Sequence, residues 1–171
     1  MEYNSFRRAP SHLQQKRVQV LLRGGDSLEG ELHIPEGQPL LHFLGMKRFF
    51  LNLTSVSRMG ADGKRGKTLN HLSLRLSNVI WVVPLDETLH ISTASPPTDS
   101  TRSVELRLVD GFTLKVTLDI SHEQRMSDYL DANSGFLPFW NAGTPVGTRA
   151  IERLAVNHEA ILAVREISPL E

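Results

Sequence analysis

The sequence predicts a mainly β protein made of two tandem copies of a five-stranded small barrel, each with a short helix between strands two and three. Three observations predict it. The chain matches itself: displaced by 86 positions, residues 16–53 fall on residues 102–139 without a gap. Ten of those 38 pairs are identical, among them Val18/Val104, Leu22/Leu108, Gly25/Gly111, Leu32/Leu118 and Phe50/Phe136. About two or three identities are expected on average composition. Within each copy the apolar residues alternate with period two, and the alternating runs are separated by Gly/Asp turns, as in β-hairpins.

The first copy opens with Val18, Val20 and Leu22, breaks at Gly24-Gly25-Asp26, and resumes with Leu28, Leu32 and Ile34. That is a strand–turn–strand unit. The second copy repeats it as Val104, Leu106 and Leu108, then Asp110-Gly111, then Leu114, Val116, Leu118 and Ile120. Glycine supplies the positive φ such turns need. Next, Leu40, Phe43 and Leu44, answered by Met126, Tyr129 and Leu130, have the i, i+3, i+4 spacing of a short helix, with Pro39 at the start of the first. A third strand follows at Phe49–Leu53 and again at Phe136–Trp140, where Pro138 predicts an edge or shortened strand. The copies then diverge. The first carries a Gly- and Lys-rich loop from Met59 to Lys67, the second a shorter one from Gly143 to Gly147. Both close on paired apolar runs, and aligning Ile80 with Ile161 sets these 81 apart. The expected organisation is an N-terminal arm over 1–15, a first copy over 16–91, a linker over 92–100 and a second copy over 101–168. Even spacing puts Val18, Leu22, Leu28, Leu32 and Phe50 in one core, and Val104, Leu108, Leu114, Leu118 and Phe136 in the other.

Each copy is near the lower size limit for a self-sufficient core, so the two are expected to pack on each other or on a second chain. Lys+Arg equals Asp+Glu, 19 each, and the formal charge is zero. That balance weighs against a phosphate-binding face and suits association. The absence of cysteine excludes thiol catalysis, disulfides and Cys-ligated zinc. No stretch reaches the roughly 18 apolar residues of a membrane helix. Arg7 and Arg8 are not followed by the apolar segment of a secretion signal, so a cytoplasmic protein without membrane contact is expected.

No catalytic or metal-ligating constellation emerges. The seven histidines form no H-x-H, HExxH or i, i+4 pair. Asp86-Glu87 reads as a polar strand end, and no G-x-S-x-G elbow is present. The expectation is therefore a chain without enzymatic activity, cofactor or metal. Two candidate binding features remain. Phe139 and Trp140 sit in an aromatic strand whose residues alternate in direction, so one of them is expected at an interface between the copies or with a partner. Arg58, Lys64, Arg65 and Lys67 form a basic loop that would serve nucleic-acid binding.

The unit Val18…Gly25…Leu28-Glu29-Gly30-Glu31-Leu32 resembles the first half of the Sm-like fold. The ending Asn78-Val79-Ile80-Trp81-Val82-Val83-Pro84, like His158-Glu159-Ala160-Ile161-Leu162-Ala163-Val164, is similar to the last strands of bacterial Sm-like RNA chaperones. The resemblance covers about half of each copy and implies an Sm-like/SH3-like barrel and a bacterial source. It does not carry over the family's RNA-contacting residues. Ile34 is followed by Pro35-Glu36-Gly37 instead of the Asp-x-x-x-Asn loop, and Ser77-Asn78 and His158-Glu159 stand in place of the Lys-His pair. The leading expectation is a non-enzymatic interaction or adaptor module that binds a protein partner or itself. RNA binding through loop 58–67 is the alternative. A cyclic-dinucleotide receptor, suggested by Arg7-Arg8 with Asp131-Ala132-Asn133-Ser134-Gly135, is the third.

Overall fold

The computed structural model describes residues 12–92, 101–143 and 151–168. Expectations for residues 1–11, 93–100 and 144–150 lie outside them. The described chain runs β1 (Leu13–Leu22), β2 (Ser27–Pro35), α1 (Leu40–Met46), β3 (Phe50–Met59), β4 (Arg65–Arg75), β5 (Val79–Pro84), β6 (Thr101–Leu108), β7 (Thr113–Asp119), α2 (Met126–Ala132), β8 (Phe136–Gly143), β9 (Ile151–Asn157) and β10 (Ile161–Glu166). All ten strands join one antiparallel sheet in the order β10-β6-β7-β8-β9-β5-β1-β2-β3-β4. The order β5-β1-β2-β3-β4 is matched strand for strand by β10-β6-β7-β8-β9.

Local chemistry accounts for the elements. The β1–β2 turn places Gly24 at φ 90° and Gly25 at φ 96°, and the β6–β7 turn places Asp110 at φ 61° and Gly111 at φ 77°. Only glycine takes such angles freely, and Asp is among the few other residues that tolerate them. Each third strand carries a bulge at a positive-φ residue, Ser55 at 51° and Asn141 at 52°. The pairing shifts beside both of them. A bulge bends its strand and increases the twist, so the sheet curls at β3 and at β8. In β2, a Cβ on Gly30 would come within 3.2–3.3 Å of Val56, Leu53 and the Thr54 carbonyl. Glycine there lets β3 approach closely. Helix α1 starts after Pro39 and buries Leu40, Phe43 and Leu44 on one stripe.

Several expectations differ from what is found. The sheet is open: among the described residues no pairing closes either five-strand set into a barrel. A strand has two edges, and those of β5 are taken by β1 and β9. None is left for β4, which becomes one rim, while β10 is the other. Strand β1 begins at Leu13, pairing with Pro35, so residues 13–15 belong to the sheet and not to an arm. Pro138 lies in an interior strand. Pairing on the β7 side of β8 is reduced to Trp140 and Gly143, which accommodates a residue without an amide hydrogen. Phe50 is 46% exposed, because Leu51 and Leu53 take the inward side of β3. Met59, Arg65, Gly66 and Lys67 are strand residues, since Met59 pairs with Arg65 and shortens the loop to Gly60–Lys64. Finally, the β1–β5 and β6–β10 registers correspond at a shift of 82, so the counterpart of Ile80 is Leu162 and not Ile161.

Two buried clusters form, and each takes residues from both ends of the chain. The first holds Val18, Val20, Leu32, Leu40, Leu53 and Val82 together with Ala155 of β9. The second holds Leu106, Leu118, Phe139 and Leu154 together with Leu21, Ile80, Trp81 and Val83. Every residue of β5 is buried, because it is a central strand covered on both faces.

Candidate interface: the β5–β9 junction and the free strand edges

The meeting of the two strand sets is built around β5. Trp81 pairs with Val156 and Val82 with Ala155. Trp81 meets Phe112 edge-to-face, with ring centres 5.9 Å apart and planes at 72°, a geometry favoured by the ring quadrupoles. Phe136 and Trp140 of β8 lie half-buried against the first cluster, and α1 packs on β8. Phe139, by contrast, is 0% exposed inside the second cluster. Of the two aromatic candidates, Trp140 therefore sits at the junction and Phe139 in a core.

Polar groups complete the junction. The buried Asn157 amide donates to the carbonyls of Leu76 at 3.2 Å and Val79 at 3.0 Å, and its Oδ1 accepts from the Glu159 amide at 3.1 Å. Arg153 donates to the Asp86 carbonyl at 2.6 Å, while the Asp86 carboxylate accepts from the Arg17 amide at 2.6 Å. The amide of Gly24 donates to the Asp110 carboxylate at 2.7 Å, linking the two hairpin turns. Unsatisfied buried groups cost about 1–3 kcal/mol each, so the bonds of the buried Asn157 help fix how the strand sets meet. Asp86 is thus a structural group. Reasoning from sequence missed Asn157 and Arg153, because nothing local marks the bonds they make to Leu76, Val79 and Asp86, more than 60 positions away.

Three of the four basic candidates stand within ion-pair distance of a carboxylate. Arg58 pairs with Asp26 at 2.6 Å, Arg65 with Glu29 at 2.8 Å and Lys64 with Asp62 at 3.9 Å. Glu29 also receives Arg17 at 2.7 Å. Arg17, Glu29, Glu31, Arg65, Ser55 and Thr68 line a shallow polar depression of about 210 Å³. Lys67 lies on the exposed part of β4. Among the described residues no group of three or more His, Asp or Glu is placed to hold a metal ion, and no helix is long and apolar enough to cross a membrane. Arg7 and Arg8 lie outside the described residues.

The free edges complete the candidate surface. Phe49 and Phe50, exposed by 55% and 46%, lie at the Arg75 end of β4, and Leu69, 47% exposed, lies six residues away along the strand. The Arg75 guanidinium stands over both phenyl rings, at 5.9 Å from Phe49 and 5.6 Å from Phe50. At the other rim Leu162 of β10 is 68% exposed. A row of unpaired backbone groups flanked by exposed aromatics is a template for adding a strand. No family model, curated protein or solved structure matches the chain.

Proposed function

We propose that the protein is a non-enzymatic interaction module, a tandem duplication of an Sm-like/SH3-like five-stranded unit opened into one sheet, whose binding element is the free edge of β4. The observation that carries this reading is the exposed pair Phe49 and Phe50 beside Arg75 on the β4 edge, which is unpaired among the described residues. Exposed apolar residues grouped at one edge mark interaction sites. A partner adding an extended strand gains main-chain hydrogen bonds from β4 and burial from Phe49 and Phe50. The duplication is supported by corresponding registers, by bulges at Ser55 and Asn141, and by turns at Gly24-Gly25 and Asp110-Gly111, each 86 apart. Nucleic-acid binding through Arg58, Lys64, Arg65 and Lys67 has less support, because three of the four already face carboxylates. The cyclic-dinucleotide reading gains no support from the described residues.

Affinity capture from cell extract tests the reading, comparing the native chain with Phe50→Lys and with the triple variant Lys64→Ala/Arg65→Ala/Lys67→Ala. A protein retained by the native chain and by the triple variant, but lost with Phe50→Lys, is the expected result. Binding to mixed RNA or DNA that weakens steeply with salt and disappears in the triple variant would replace it with the nucleic-acid reading.

A further inference from the structure

We propose that the β4 edge receives the β10 edge of a second copy of this chain, repeating between molecules the β5–β9 pairing made within one. The inference rests on the interaction-module reading and names its partner. The ten-strand order begins at β10 and ends at β4. In the matched orders, β10 stands where β5 stands and β4 where β9 stands, and β5 and β9 pair directly. Among the described residues the joint is therefore made once, and both halves of it recur unpaired at the rims.

The register follows from the internal joint. Trp81↔Val156 and Val82↔Ala155, moved by the shift of 82, become Ala163↔Leu74 and Val164↔Ser73. The rims look like the joint with its partner removed. Ile80 is fully buried in the joint, whereas its counterpart Leu162 is 68% exposed. Phe136 is half-buried against the neighbouring cluster, whereas its counterpart Phe50 is 46% exposed. Helix α1, which packs on β8 across the joint, buries three residues; α2, whose corresponding neighbour would be β3 of the next copy, buries none. Chemistry fits the pairing as well. Strand β4 carries Arg65, Lys67, His71 and Arg75 and no acid, and the implied register sets Glu166 opposite His71. Ala163 replaces the large Trp81, so the joint between molecules buries less than the internal one and forms in a concentration-dependent way. It is head-to-tail, and such contacts close into rings or extend as filaments.

Because the chain has no cysteine, single cysteines report the contact cleanly. Directly opposed residues on antiparallel strands lie within disulfide reach. Purified S73C and V164C chains are mixed in equal amounts and mildly oxidised. The mixed 73–164 disulfide should form several-fold faster than either self-pair. Light scattering on the native chain should give a mass that rises with concentration above the 19.2 kDa monomer. Leu162→Lys and Phe50→Lys, both at exposed positions, should hold it at the monomer with unchanged melting. A native chain that stays monomeric without the mixed disulfide overturns the proposal, as does preferential 73–73 or 164–164 linkage. If the purified chain is monomeric but Phe50→Lys still abolishes capture of another protein, self-pairing falls and the interaction reading stands. If capture is also unaffected, both fall.

Discussion

At the scale of single residues, burial and backbone angle decide what each position tolerates. Leu32 is 0% exposed in the first cluster. Leu32→Ala should cost about 2–5 kcal/mol, the range for an emptied core site, measured by urea unfolding at constant m-value. Tyr129 is half-buried, and burial, reinforced by the Asp119 carboxylate, raises its phenol above the ordinary 10.0. The folded state then holds the proton more tightly than the unfolded one. Stability from this group is intact below the unfolded value of 10.0 and is lost as pH rises through the raised folded value. Melting temperature followed from pH 9 upward should fall less steeply in Tyr129→Phe than in the native chain, about pH 10 being where an unperturbed tyrosine ionises. Parallel curves would mean that the phenol is not held neutral by the fold.

At the scale of elements, β5 and β10 show how context changes one strand position. In β5 all six residues are buried; in β10 none is. The β5 sequence Val-Ile-Trp-Val-Val-Pro suits a strand covered on both faces, while Ile-Leu-Ala-Val-Arg-Glu suits a rim. Trp81→Ala should therefore destabilise the whole sheet by about 3–5 kcal/mol, because it empties the junction side of the second cluster. Calorimetry and denaturant titration check the size. Shortening Leu162 to Ala at the counterpart of Ile80 should leave melting nearly unchanged, since an exposed side chain has little burial to lose.

At the scale of the whole molecule, the interleaved clusters make the two strand sets one folding unit. Leu21, Ile80, Trp81 and Val83 belong to the cluster of the second set, and Ala155 to that of the first. Calorimetry should show a single transition, with van't Hoff and calorimetric enthalpies agreeing. A fragment of residues 12–92 alone would bare Ile80, Trp81 and Val83 and should lack cooperative unfolding. Two separate transitions would mean that each set has a core of its own.

The sequence by itself determined the local grammar. Alternation, the Gly24-Gly25 and Asp110-Gly111 turns and the short helices after Pro39 and Arg125 are short-range signals, and the strands and helices follow them closely. It offered Phe139 or Trp140 as a contact residue without deciding between them. Only the tertiary structure decided which edges pair. Backbone hydrogen bonding carries no side-chain label, so nothing in β4 or β5 announces that β9 takes the second edge of β5. That choice opens the sheet, half-buries Trp140 at the joint and leaves Phe50 exposed. It also turns Asn157, an unremarkable residue in the sequence, into the polar lock of the junction, because its partners are brought to it only when the two strand sets meet.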